Sequence, residues 1–159
     1  MAAPSITVVN ASSNTTQTNW SAGVVKASQS SPVLTIQIWN NRGNNSTALA
    51  DLRDASITSL DTNGGSTSDP VSGKWLKVNC PNLSEQSGTW TAVGGNTTKF
   101  IRGDGVPSSD GNIIKGTANP GSSSNTSNYC TVKLRIDVPA NATPNTYNFK
   151  TRINGYYVG

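Results

Sequence analysis

Between residues 129 and 138 every second side chain is apolar: Cys130, Val132, Leu134, Ile136 and Val138 alternate with Thr131, Lys133, Arg135 and Asp137. Successive side chains of an extended chain point to opposite faces, so this pattern buries one face and wets the other, as a strand of an antiparallel sheet does. The same alternation puts Leu34, Ile36 and Ile38 on one face of segment 32–40, and Leu76, Val78 and Cys80 on one face of segment 74–80. No segment sustains the 3.6-residue repeat of an amphipathic helix. A short turn around residues 49–53 (Leu49-Ala50-Asp51-Leu52-Arg53) is the one helical expectation.

Turn-forming stretches separate the alternating segments. Asn40-Asn41-Arg42-Gly43-Asn44-Asn45, Asp61-Thr62-Asn63-Gly64-Gly65, Gly94-Gly95-Asn96 and Gly103-Asp104-Gly105 supply the positive-φ positions that tight turns require. Residues 116–128 are almost all Gly, Ser, Asn, Thr and Pro, and are expected to form an exposed loop. Only 33% of the 159 residues are hydrophobic, so the core is thin, which suits a sandwich whose strands each bury alternate residues. The expected fold is all-β: an antiparallel β-sandwich of about eight strands with long polar loops. Residues 31–159 are read as the sandwich domain. Residues 1–30 are read as an N-terminal arm or edge strand, because 10–19 is polar and the pair Val24-Val25 stands alone.

Twelve Lys and Arg against eight Asp and Glu give a net charge of +4. The cations stand singly and alternate with apolar residues, as in Lys74/Lys77, Lys99/Arg102 and Lys133/Arg135. That is a strand's wet face rather than a basic tract, so direct nucleic-acid binding is not expected, and an acidic protein surface is the preferred partner. No run approaches the ~20 apolar residues of a membrane helix. With no histidine there is no imidazole base, no Ser-His-Asp triad and no His metal ligand, and the acidic residues stand apart. The chain is therefore read as non-enzymatic and without a cofactor.

Asp61-Thr62-Asn63 and Asp104-Gly105 place oxygens in loops but lack the downstream glutamate of a calcium loop. Arg102-Gly103-Asp104 spells an adhesion tripeptide too short to carry specificity. Sites such as Asn14-Thr15-Thr16 and Asn96-Thr97-Thr98 follow from composition. Cys80 and Cys130 share the inward parity of Val78 and Val132 and are expected as buried free thiols; the alternative is a bond between two sheets. Trp39 and Trp75 have parity opposite to the aliphatic face of their strands, so they are expected outward, where with Tyr156 they would offer a flat platform to sugar rings. The competing expectation is that the aromatic rings cap the core or fill a subunit contact.

The run Val132-Lys133-Leu134-Arg135-Ile136-Asp137-Val138-Pro139-Ala140-Asn141-Ala142-Thr143-Pro144-Asn145-Thr146-Tyr147-Asn148-Phe149 resembles the last two strands of bacterial and phage immunoglobulin-like domains. Those domains commonly carry Val-Pro-Ala-x-Ala-x-Pro-Gly-x-Tyr between the strands. Here Asn145 stands where Gly is usual, and Asn also tolerates the left-handed conformation. Pro139 ends one strand, Pro144-Asn145 sets a turn, and Tyr147 re-enters the core.

Over the whole chain, the start Met1-Ala2-Ala3-Pro4 without an export leader, the strand end Ile38-Trp39-Asn40-Asn41, Gly73-Lys74-Trp75 and the finish 147–158 resemble small virion proteins of tailed phages. The resemblance implies an immunoglobulin-like capsid decoration protein, made in the host cytoplasm and carried on the capsid exterior. Its partner would be the major capsid protein, with possible self-association on the particle. Expected capsid contacts are Pro4, Ile6 and Trp20 in the N-terminal segment, with Arg42, Lys74 and Arg102 as exposed cations. The alternatives are a carbohydrate-binding or adhesion module using Trp39, Trp75 and Tyr156, or a tail-tube or neck component.

Overall fold

The computed structural model describes all 159 residues. In chain order its strands are β1 (Ile6–Asn10), β2 (Leu34–Asn40), β3 (Arg53–Asp61), β4 (Leu76–Asn79), β5 (Thr91–Val93), β6 (Lys99–Phe100), β7 (Tyr129–Ile136) and β8 (Phe149–Tyr156). They form two antiparallel sheets, one of five strands in the order β1-β2-β7-β4-β5 and one of three in the order β6-β3-β8. The first thirty residues thus contribute a strand to the larger sheet, with Ile6 level with Asn40 and Asn10 level with Ile36.

Cross-strand rows explain why the alternation of the sequence makes a core. Leu34 lies opposite Leu134, Ile36 opposite Val132 and Ile38 opposite Cys130, while on the other flank of β7 Val78 meets Leu134 and Leu76 meets Ile136. These rows face Ala55 and Ile57 of β3 together with Ile101 and Ile114 from loops, in one buried apolar cluster. Directly opposed apolar pairs on one face are the unit of sheet stabilisation.

The 49–53 helical expectation fails. Leu49 N–H donates to the Gly116 carbonyl, Ala50 N–H to Ala2 and Leu52 N–H to Ile114, so long-range bonds take the donors a helix would use locally. The α-helical turn, α1, lies instead at Asp69–Ser72, where Pro70 occupies the first turn and its missing N–H costs nothing. The connection 137–148 carries the chain from the five-stranded sheet to the three-stranded one. At its end Tyr147 packs edge-on against Trp75 with ring centroids 4.9 Å apart, and its hydroxyl donates to the Thr143 carbonyl at 2.9 Å.

Residues 116–128 form a loop, exposed at 117–118, 120 and 122–124 as expected, but Asn119 and Asn128 within it are each only 2% exposed. Together with Asn40 and Asn41 they stitch one end of the sandwich. Asn40 Nδ2 donates to the carbonyls of Ala50 and Ile114 at 2.9 and 3.2 Å, and its Oδ1 accepts the Ser5 N–H at 3.1 Å. Asn41 Nδ2 donates to Thr47 and Gly116 carbonyls at 2.7 and 2.9 Å. Asn119 Nδ2 donates to the Asn41 carbonyl at 2.7 Å, while its Oδ1 accepts the Gly121 N–H at 2.9 Å. Asn128 Nδ2 donates to the carbonyls of Lys115 and Thr117 at 3.0 and 2.9 Å, and its Oδ1 accepts the Thr117 hydroxyl. One amide carries two donors and an acceptor, so each of these side chains joins segments that have no sheet partner.

Replacing Asn40 by Ala leaves the buried Ala50 carbonyl without a partner, while the Ile114 carbonyl keeps the Leu52 N–H and the amide of exposed Ser5 can turn to water. One such orphan costs about 1–3 kcal/mol, and a loss of that size is expected in urea unfolding. Asn45→Ala, at an exposed turn position, is expected to stay within about 0.5 kcal/mol of the parent.

Candidate functional site

The end closed by the four asparagines is also where exposed apolar side chains gather. Ala50 N–H donates to the Ala2 carbonyl and Asn41 N–H to the Ser5 carbonyl, both at 2.9 Å, so residues 2–5 lie along the 40–50 loop. Met1 and Val158 line one groove of about 230 Å³ with Ala48, Leu49, Ala50, Asp51, Arg53 and Thr117. Its floor is fixed: Gly116 N–H donates to Asp51 Oδ1 at 2.9 Å, and a Cβ on Gly116 would stand 2.3 Å from the Leu49 carbonyl oxygen. Of the large hydrophobes that line this groove, Met1 and Val158 are exposed, and Ile6 of β1 is exposed as well. Isolated surface hydrophobes are ordinary, whereas a grouping of them marks an interaction surface.

The six residues expected to contact a capsid do not share one surface. Pro4 and Ile6 lie at this end, with Ile6 38% exposed. Trp20 is half-buried and packs on the apolar core. Arg42 is half-buried over the Trp39 ring, and its guanidinium donates to the Asn14 backbone and side-chain oxygens at 3.2 and 2.9 Å, so it ties two turns together. Lys74 is exposed with φ 53°, beside the other end of β7, where Asp137 N–H donates to the Trp75 carbonyl. Arg102 is half-buried, and its carbonyl accepts the Asn82 amide.

The proposed sugar platform does not form. Trp39 is 1% exposed and packs with Val9 and Tyr129, its ring centroid 4.5 Å from that of Tyr129. Its parity was read correctly, but polar loops cover the outer face of the sheet here, as the Tyr129 hydroxyl bonded to the Ser123 carbonyl shows. Trp75 is 6% exposed within the main core. It precedes β4, and the positive φ of Lys74 turns the chain just before it, so strand parity does not extend to Trp75. Tyr156 is exposed at the end of β8 without them.

The adhesion tripeptide is held inside the fold. Asp104 Oδ1 accepts the Thr131 N–H at 2.8 Å and Oδ2 accepts its hydroxyl at 2.5 Å, and a Cβ on Gly103 would meet the Ser127 carbonyl oxygen at 2.5 Å. Burial pushes the Asp104 carboxyl above its ordinary range, against the lowering effect of the Thr131 hydrogen bonds. Asp61 goes the other way: bonds led by the Ser68 hydroxyl and the Thr67 N–H lower it. These bonds close the 61–68 turn upon itself.

A raised carboxyl makes the folded state the better proton acceptor. Asp104 therefore adds stability in acid, fully present below the unfolded value of 3.8 and lost as the pH rises through the folded one. Asn fills the same space and accepts from the Thr131 N–H without the charge. Asp104→Asn is expected to be more stable than the parent at neutral pH, with the gain vanishing near about pH 3, as paired urea titrations at the two pH values would report.

Cys80 and Cys130 are both fully buried free thiols, but they are not opposed across the two sheets. Asn79 is level with Lys133, so Cys80 falls level with Val132 on the neighbouring strand, two residues from Cys130. Contact with Cys80, then burial, pushes the Cys130 thiol well above its usual range. A thiol reagent at mildly alkaline pH is expected to label neither cysteine in the folded protein and both in denaturant, because the thiolate is the reactive form.

No family model matches this chain, and the comparisons with curated proteins and with solved structures likewise return no match. The structural role of Asn41, Asn119 and Asn128 carried no sequence signal, since Asn is abundant in the turns as well. Asn40 did carry one: it shares the inward parity of Ile36 and Ile38.

Proposed function

We propose that this chain is a non-enzymatic structural protein of a tailed phage. In this reading it is an immunoglobulin-like sandwich that docks on the capsid exterior and stabilises the shell by bridging capsid subunits. The observation that carries the reading is the apolar end, where Met1, Leu49 and Val158 line a groove beside buried amides and Ile6 stands exposed on β1. A preorganised contact loses little freedom on docking, so modest apolar area is enough to hold it. The net charge of +4 adds attraction to an acidic shell surface. A ligand that binds the assembled shell and not free subunits stabilises it by mass action, and symmetric repetition multiplies the effect.

The contact set moves from the residues first expected. Pro4 and Ile6 stay in it; Trp20 and Arg42 are engaged within the fold, Arg102 is half-buried, and Lys74 lies at the far end. Deleting the first twenty residues is a poor test, because β1 and the Trp20 packing go with them.

Point variants on expanded heads lacking the protein make a cleaner one. Pelleted heads are expected to carry saturating copies and to melt at higher temperature. Ile6→Asp with Val158→Asp should weaken binding at least tenfold, equivalent to about 1.4 kcal/mol, while Lys74→Glu binds as the parent. Heads that pellet without the folded protein would rule the reading out.

A further inference from the structure

Three of the four sheet edges are short or covered. The outer edge of β1 is occupied by the returning chain, with Asn10 N–H donating to the Thr15 carbonyl and Gln17 N–H to Val8. β5 and β6 are three and two residues long. β8 differs: it has eight residues, Phe-Lys-Thr-Arg-Ile-Asn-Gly-Tyr, and contains no proline. Its backbone bonds only to β3, so the amides and carbonyls on its outer edge have no partner in the fold. Proteins ordinarily blunt such an edge with a bulge, a proline, a covering segment or charged side chains; β8 has only the last, Lys150 and Arg152.

The faces of β8 are also unfinished. Ile153 is level with Ile57 of the core, so odd-numbered residues face inward, yet Phe149 and Ile153 are only half-buried and Thr151 is exposed. Lys150, Arg152 and Tyr156 stand exposed on the other face, and β8 has no acidic residue.

We infer that β8 pairs antiparallel with β8 of a second copy of this chain, about a two-fold axis through Ile153. The charges select this register. An axis through Thr151 sets Lys150 against Arg152, and one through Arg152 sets that residue against itself; like charges directly opposed destabilise a pair. Through Ile153, Lys150 meets Tyr156 and Arg152 meets Asn154, so each cation has an aromatic or amide neighbour. On the inward face Ile153 meets its own copy and Phe149 meets Tyr157, which continues the core row across the join. One residue further, Ile153 faces Gly155 and Phe149 faces Gly159, and those contacts are lost. The product is a six-stranded sheet, β6-β3-β8-β8-β3-β6, with a self-complementary interface. The pairing uses the outer edge of β8 and not the groove lined by Met1, Leu49 and Val158.

Directly opposed Cβ atoms lie about 4.5–5.5 Å apart, close enough for a disulfide after a small adjustment, whereas diagonal ones do not. Arg152→Cys and Asn154→Cys, both outside the core, are each oxidised alone with glutathione disulfide and then as a mixture, and run on a denaturing gel after blocking free thiols. The mixture is expected to form a cross-linked dimer and neither variant alone to do so. In sedimentation the parent is expected to shift toward a dimer with concentration. Tyr156→Lys, which sets Lys against Lys150, should weaken that dimer at least tenfold with an unchanged melting temperature. A parent that stays monomeric at every soluble concentration, or Arg152→Cys cross-linking to itself, would overturn the pairing.

Discussion

A side-chain amide inside a protein must satisfy its two N–H groups and its carbonyl, and that obligation organises this molecule. Asn40, Asn41, Asn119 and Asn128 are at most 2% exposed, and each bonds to backbone that belongs to no sheet. A chain that is only 33% hydrophobic has few apolar residues to hold long connections in place. Here directional polar bonds do this at one end of the sandwich, and apolar rows do it in the middle. An unpaired buried polar group costs more than a made bond contributes, so the network specifies one arrangement of its loops.

β2, β4 and β7 were readable because burial of one face imposes period two on apolar residues, and the runs 34–38, 76–80 and 130–136 keep it, whereas β3, buried on both faces, shows no such alternation. The fold class followed from those runs and the turns between them. What was not readable depends on contacts distant in sequence. Leu49 to Leu52 look helical until Ala2, Gly116 and Ile114 are brought beside them. Trp39 faces away from the main core, as its parity says, and is buried because separate loops close over it. Parity reports which face a residue occupies and is silent on what covers that face.

The candidate site shows the same division. Ile6 was expected at a contact surface because it lies in the N-terminal segment, and it is exposed at the edge of the larger sheet. Leu49 and Val158 were not, because their role arises only when both chain ends meet over the 40–50 loop. Arg42 and Arg102 looked like free cations, yet one is spent on Asn14 and the other is half-buried. In a chain with only twelve basic residues, each one drawn inward changes where the remaining positive field points.

The amide network also sets a timetable. Asn40 bonds to a carbonyl 74 residues further along the chain, and Asn128 bonds back across 88. On a ribosome adding about 5–20 residues per second, Asn40 waits roughly 4–15 s before Ile114 exists to receive it. Through that interval β2 has neither β7 beside it nor the loops over it. The first half of the chain emerges with its sheet incomplete, and its native arrangement is decided when the second half arrives.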